Sequence, residues 1–281
     1  MHRFALSALL ALAGSGVAAS AHADGRLEAR YTLSLAGLEL GKAALLLEVD
    51  ERSYTASGSA RLTGMAQAVS SGKGTAGARG AIARGELEPR AFAMEAESDR
   101  KAEAIRLVMS RDTVTEMRVE PPVSESPDRI PVTDKDKKGV LDPMSAALIL
   151  VPGSGGETLS AKACERVLSI FDGRQRYDLQ LSYERMEDVK AEKGGYAGPS
   201  VVCRIAYRPV AGHKPNRSGV KYMMNNKEMF VWLAPIAGTR ILAPFRASVN
   251  TAIGVAQIQA ESFVSEPMVG KGAKPTRAQV P

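Results

Sequence analysis

Apolar and polar residues alternate with a period of two along most of this chain, and that pattern constrains its fold more than any other feature. In "RLEARYTLSLAG", Leu27, Ala29, Tyr31, Leu33 and Leu35 share one parity while Arg26, Glu28, Arg30, Thr32 and Ser34 share the other. Successive side chains of an extended chain point to opposite faces, so the segment reads as a strand with one buried side. "YTASGSARL" repeats the pattern, with Tyr54, Ala56, Gly58, Ala60 and Leu62 set against Thr55, Ser57, Ser59 and Arg61. Between the two, "LELGKAALLLEV" changes phase around Gly41, as a bulge or bend does.

Further strands are expected in "PRAFAMEAES", "AEAIRLVMS" and "TVTEMRVE", with turns at 98–101 and 110–112. Downstream come "ERVLSIFD", "QRYDLQLSYERM", "PSVVCRIAYRPV", "EMFVWLA", "TRILAPFRAS" and "GVAQIQAESFV". About a dozen strands make a sheet that must curl, sandwich or close. One helix stands out, 142–151, with Asp142 as N-cap, Pro143 at the first helical position and Pro152-Gly153 as its stop. Its body is apolar nearly all round, so it is expected to plug the sheet's interior. A weaker helix signal lies in "TGMAQAV", 63–69.

The fold class that follows is all-β and mainly antiparallel: a strongly curved sheet or half-open β-barrel with the 142–151 helix on its concave face. One domain is expected over 24–266. Within it, the proline- and charge-rich stretch 120–139 forms a loop between two strand-rich halves. The aperiodic tail, 267–281, is expected to be disordered.

The N-terminus reads as an export signal. Arg3 precedes an apolar core from Phe4 to Ala13, and Ala21-His22-Ala23 supplies the cleavage triplet, so cleavage is expected after Ala23 and residence in the periplasm. A retained anchor fits less well, because Gly14 and Gly16 break the run short of the roughly 20 apolar residues a span needs. No transmembrane segment is expected after signal removal. The net charge of +6 is spread along the chain. It favours anionic surroundings such as a membrane surface or acidic glycan, without the dense clustering of a nucleic-acid binder.

The two cysteines, Cys164 and Cys203, form an even pair in an oxidising compartment and read as a structural disulfide. Redox chemistry would be expected to use a Cys-x-x-Cys spacing, which is missing. Two of the three histidines, His2 and His22, belong to the signal. That leaves His213, too few imidazoles for a histidine-rich zinc site; no metal and no cofactor is expected. Ser-His-Asp catalysis would have to run through His213, in the loop "PVAGHKPN".

"SSGKGTAG", 70–77, imitates a phosphate loop but has Gln67 where the first glycine belongs and Gly74 where Ser or Thr belongs. It reads as a flexible Gly/Ser loop. "FDGRQRYDL", 171–179, reads chiefly as a hairpin turn, since Asp-Gly between alternating strands is a strong turn signal. Arg174 at its tip and Arg176 beside it remain candidates for contacting an anionic head group or partner. With His213 and Trp232, the sole tryptophan, they make up the candidate binding residues.

"GVLDPMSAAL", "CERVLSIFDGRQRYDLQL", "GPSVVCRIAYRPVAGH" and "MFVWLAPIAGTRILAPFRASVNTAIG", with "YTLSLAGLELGKAAL" near the start, resemble the blocks of domain-of-unknown-function family 3108. These are exported proteins of bacterial envelopes. The resemblance runs from about 27 to 265 and implies a curved antiparallel structure and an envelope address, with no established activity to carry across.

The leading functional expectation is a non-enzymatic envelope protein binding a hydrophobic or amphipathic, lipid-like ligand in a β-barrel cavity. Small residues on inward faces (Ala29, Ala56, Gly58, Ala60) motivate it. The alternatives are an envelope scaffold with a protein partner, working through a sheet edge or the basic loops around Lys135, Lys137, Lys138, Lys271, Lys274 and Arg277, and a hydrolase using His213. An apolar cavity of roughly 300 Å³ or more favours the first of these.

Overall fold

A computed structural model describes residues 24–69, 71–153, 158–190 and 195–268. Residues 1–23, where the export signal is expected, and residues 269–281, with Lys271, Lys274 and Arg277, lie outside the described residues.

The first half is a meander of seven antiparallel strands: β1 (Gly25–Leu35), β2 (Leu38–Val49), β3 (Ser53–Leu62), β4 (Lys73–Ala83), β5 (Glu86–Ser98), β6 (Lys101–Ser110) and β7 (Thr113–Glu120). Helix α1 (Gly64–Val69) sits in the β3–β4 connection, where the weaker helix signal lay. The two-residue turns Ala36-Gly37 and Arg84-Gly85 take positive φ at both positions, the backbone a twisted two-residue hairpin demands. The phase change near Gly41 is a bulge: Gly41 faces Leu33, but Glu39 already faces Ser34.

The chain then forms α2 (Pro143–Ala146) and the two-residue strand β8 (Ile149–Leu150). A second meander follows: β9 (Arg166–Phe171), β10 (Arg176–Val189), β11 (Gly198–Ala211), helix α3 (Ser218–Asn225), β12 (Met229–Pro235), β13 (Ile241–Thr251) and β14 (Gly254–Pro267). β1 and β14 pair antiparallel, so the two meanders fuse into one fourteen-stranded sheet with β7 and β9 as its edges.

The sheet curls into a half-open barrel that is not closed by a strand ladder. The seam between its edges is filled by the 120–141 connection and by the β9–β10 turn. Val140 N–H donates to Asp112 O at the β6–β7 turn (2.9 Å), and Leu141 bridges Ile170 of β9 in parallel. Arg174 Nη2 donates to the carbonyls of Glu120 and Pro121 at 3.3 and 3.2 Å. Ile130 exchanges backbone hydrogen bonds with Gly212 and His213. The 120–139 loop is thus tied to both halves of the sheet.

Three local expectations need correction, and one element was not anticipated. The helix at 142–151 is one turn, Pro143–Ala146, because Ile149 and Leu150 leave it to pair with Leu242 and Ile241 of β13. Asp142 and Pro143 do serve as cap and first residue. The "SSGKGTAG" loop is largely strand: Lys73 opens β4, which is hydrogen-bonded between β3 and β5. Its Gly and Ala residues lack the bulk that marks a strand by pattern, yet Gly80 is required, since a Cβ there would lie 2.5 Å from the Tyr54 hydroxyl. Helix α3 was the element not anticipated: it has no capping signal in sequence, and its N-cap, Arg217, makes no side-chain cap. Finally, β14 runs through Pro267, and Met268 N–H still bonds Asp24 O.

Cys164 and Cys203 are bonded, with Cα atoms 5.3 Å apart across 39 positions of sequence. The link ties the segment before β9 to β11, and both residues are fully buried beside Leu181, Val201 and Leu233.

Candidate functional site

Inner-face residues change character along each strand. At one end they are large and sealed: Leu27, Leu47, Val49, Tyr54, Phe92, Leu107 and Phe171 are all buried. Toward the other end, on the same faces, Leu45, Gly58 and Met94 are half-buried and Ala60 is exposed. The barrel is therefore plugged at one end and open at the other. The up-and-down order brings the β1–β2, β3–β4, β5–β6, β9–β10, β11–β12 and β13–β14 connections to one end of the strands; the β9–β10 turn among them is taken up by the seam.

Inside the opening lies a cavity of about 520 Å³. One wall is small and apolar, from Ala43, Gly58, Ala60, Gly74, Ala76 and Ala96. The facing wall is bulkier: Leu168, Leu179, Leu181, Ile205, Val231 and Leu233. Met144, Ala146 and Ala147 of the α2 segment form the floor. Water in such a chamber finds almost none of the two to four polar partners an ordered molecule needs.

The floor is pinned by a buried polar chain. Asp142 Oδ1 accepts the N–H groups of Met144 and Ser145, each at 3.0 Å, and Oδ2 accepts the Ser145 hydroxyl at 2.5 Å. Ser145 Oγ in turn lies 2.7 Å from the Tyr54 hydroxyl on β3. Burial raises the Asp142 pKa, and the bonds from Ser145 and Met144 oppose that rise. The chain fastens α2 to the sheet, and neither Ser145 nor Asp142 lines the cavity.

A second depression, of about 1140 Å³, crosses the sheet from β1 to β6. Of its charged members, Arg30, Lys42, Arg61, Lys73, Glu95 and Glu97 have the opposite parity to Tyr31, Ala43, Ala60, Gly74 and Ala96 and so point away from the apolar chamber, whereas Glu103, paired with Ala96, shares the inward parity at the rim. Lys42 bonds Glu261 (2.5 Å) and Glu39 (3.1 Å), and Lys73 faces Glu97 at 3.5 Å.

The four candidate binding residues all lie outside the apolar cavity. Asp172 Oδ1 accepts the N–H groups of Arg174 (2.7 Å) and Gln175 (2.6 Å), and Gly173 has φ 94°, so "FDGRQRYDL" is the expected turn. Arg174 spends its guanidinium on the seam. Arg176 pairs with Asp178 at 2.8 Å. His213 is buried, and its Nδ1 makes no hydrogen bond among the described residues, so the acid–histidine contact that triad chemistry uses is not assembled there. Trp232 lies between the cavity-lining Val231 and Leu233 and so faces the other way. Its indole N–H donates to Glu187 Oε2 (3.1 Å), and the Arg246 guanidinium stacks 4.4 Å from the ring centroid.

Sequence reasoning named Gly58 and Ala60 but missed Gly74, Ala76 and Ala96, whose small size on inward parity was the available signal. The β9–β12 wall had no such signal, because only curling brings it opposite β2–β5.

The family model for a protein of unknown function, DUF3108, matches residues 30–261. The chain belongs to that family. No curated protein matches. Among solved structures, a β-barrel-like protein of domain of unknown function DUF1849 from Brucella abortus aligns at TM-score 0.49 and 10% identity, over 87% of this chain and 98% of that one. Among the described residues, no helix of this DUF3108 member is long and apolar enough to cross a membrane.

Proposed function

We propose that this DUF3108 protein is an exported, non-enzymatic factor of the cell envelope that holds a lipid-like ligand in its half-open barrel. The observation that carries the reading is the apolar chamber of about 520 Å³, open at one end and floored by α2. It exceeds the roughly 300 Å³ at which small-molecule sites begin. A poorly hydrated apolar chamber favours an apolar occupant, because binding expels water that was badly partnered there.

An acyl chain suits the walls, which offer side-chain bulk and almost no hydrogen-bonding groups. Export follows from the charge, apolar core and cleavage triplet of residues 1–23, and the buried disulfide accords with an oxidising compartment. A scaffold would be expected to fill its interior, and this interior is not filled.

The test is native mass spectrometry of the protein purified from its own envelope, followed by lipid extraction. Discrete added masses that extract as lipid support the reading. A clean apo mass under gentle conditions overturns it.

A further inference from the structure

The rim of the open end carries exposed apolar residues on three neighbouring connections. Ile253 at the β13–β14 tip is 72% exposed, Leu38 beside the β1–β2 tip 61%, and Met224 of α3 52%. The rim is one connected structure. Ala36 N–H bonds Val255 O at 2.9 Å, joining the two hairpin tips, while Asn226 Nδ2 and the Tyr222 hydroxyl both donate to Asn250 O, joining α3 to the end of β13. Tyr222 and Val255 add to the exposed apolar area, and α3 buries none of its residues fully.

The charges around it are lopsided. Arg217, Lys221 and Lys227, on or flanking α3, are exposed and have no side-chain partner among the described residues. The acids nearby are engaged: Glu228 with Arg204 at 3.7 Å, and Glu39 with Thr63 and Lys42 at 2.8 and 3.1 Å. Between Lys221 and Lys227 lies a shallow depression of about 540 Å³, also lined by Tyr222 and Asn225. Apolar tips beside unpaired cations match a surface that is apolar below and anionic above. A soluble protein partner would not require the apolar tips to surround the mouth of an apolar chamber.

We propose that the open end docks on an anionic lipid surface. Ile253, Leu38 and Met224 enter the boundary between head groups and acyl chains, and Arg217, Lys221 and Lys227 lie among the phosphates. The cavity then faces the membrane, which suits a protein that takes up or delivers a lipid. The docking argument stands on the rim alone, whatever the cavity holds.

Vesicle co-sedimentation tests it, using the chain from Asp24 onward with phosphatidylcholine vesicles and with vesicles that also contain phosphatidylglycerol. Partition is expected to favour the anionic vesicles and to fall as salt is raised. Each cation removed is expected to weaken partition about fivefold, so Lys221→Glu with Lys227→Glu weakens it well over tenfold. Ile253→Asp is also expected to lose binding, with circular dichroism unchanged. No partition to either vesicle, or full partition by the double variant, overturns the proposal. Ala76→Phe, which fills the chamber, is expected to leave vesicle binding intact; loss of vesicle binding in that folded variant would also overturn rim docking. Failure of the ligand reading is thereby told apart from failure of docking.

Discussion

The sealed and open halves of this barrel are built from the same strands and the same alternation, yet one is a core and the other a chamber. On β2 the inner face reads Val49, Leu47, Leu45, Ala43; on β3 it reads Tyr54, Ala56, Gly58, Ala60. The first members are buried and the last are not. Parity decides which face a residue occupies, and size decides whether that face is packed. Bulk at one end with small residues at the other turns a curled sheet into a cup.

The most direct way to break this comparison is to make one substitution at two positions of one strand. Leu47→Ala in the sealed half leaves a hole among Leu27, Ala56 and their neighbours and is expected to cost about 3 kcal/mol. Leu45→Ala, two residues away on the same face, borders an existing chamber and is expected to cost about 1 kcal/mol. Urea denaturation measures both, and equal losses would mean that the two halves are packed alike.

Asp142 stands between the halves, because its hydrogen bonds hold the floor that separates them. Asp142→Ala strands two backbone N–H groups, leaves the Ser145 hydroxyl with Tyr54 alone, and is expected to cost about 2 kcal/mol. Burial raises the Asp142 pKa above that of the unfolded carboxylate. The folded protein therefore keeps the proton over a pH window in which the unfolded chain has released it. This group's contribution is most favourable below the window and declines as pH rises through it. Asp142→Asn, which can still cap, is expected to flatten that slope in stability measured from acidic to neutral pH. An unchanged slope would place the titration elsewhere.

How much of this was legible depended on which physical signal a residue carries. Leu27 to Leu35 and Tyr54 to Leu62 announced strands because large apolar groups alternate with polar ones. β4 stayed hidden because Gly74, Ala76, Ala78 and Gly80 on its inner face carry little hydrophobic contrast, and glycine is usually a loop signal. Its smallness has a reason visible only in three dimensions, the Tyr54 ring lying over Gly80 and the chamber lying over Gly74. The cap at Asp142 was legible because capping is local chemistry. The end of that helix was not, because β13 claims Ile149 and Leu150 from far along the chain. The chamber was half legible: small inward residues suggested room, but its opposite wall, from Leu168 to Leu233, comes from strands in the other half of the chain. The rim was not read at all, since Ile253, Leu38 and Met224 are separate exposed residues until the topology gathers them.

A milder probe of the floor is Tyr54→Phe. It removes the hydroxyl 2.7 Å from Ser145 Oγ while keeping the ring over Gly80, and is expected to cost about 1 kcal/mol. Ser145 keeps its bond to Asp142, so the floor stays capped. A much larger loss would mean that the Tyr54 hydroxyl, and not the cap, is what holds α2 to the sheet.

The smallest expected effect on stability is also the sharpest test of the open half. Ala76 lies on the chamber wall opposite Gly58 and Met94. Ala76→Phe places a ring into space that is already empty, so the overpacking strain that follows such a change in a filled core is avoided. Thermal unfolding is expected to move by no more than about 1 kcal/mol in either direction. Lipid recovered from the purified variant is expected to fall sharply, because the ring occupies the room an acyl chain needs. The same substitution at Ala56, two positions toward the sealed end on the neighbouring strand, is expected to destabilise the protein outright, since Leu47 and Ala78 already flank that position. A barrel that tolerated phenylalanine equally at both positions would have no distinction between plug and chamber, and the case for a ligand inside it would go with that distinction.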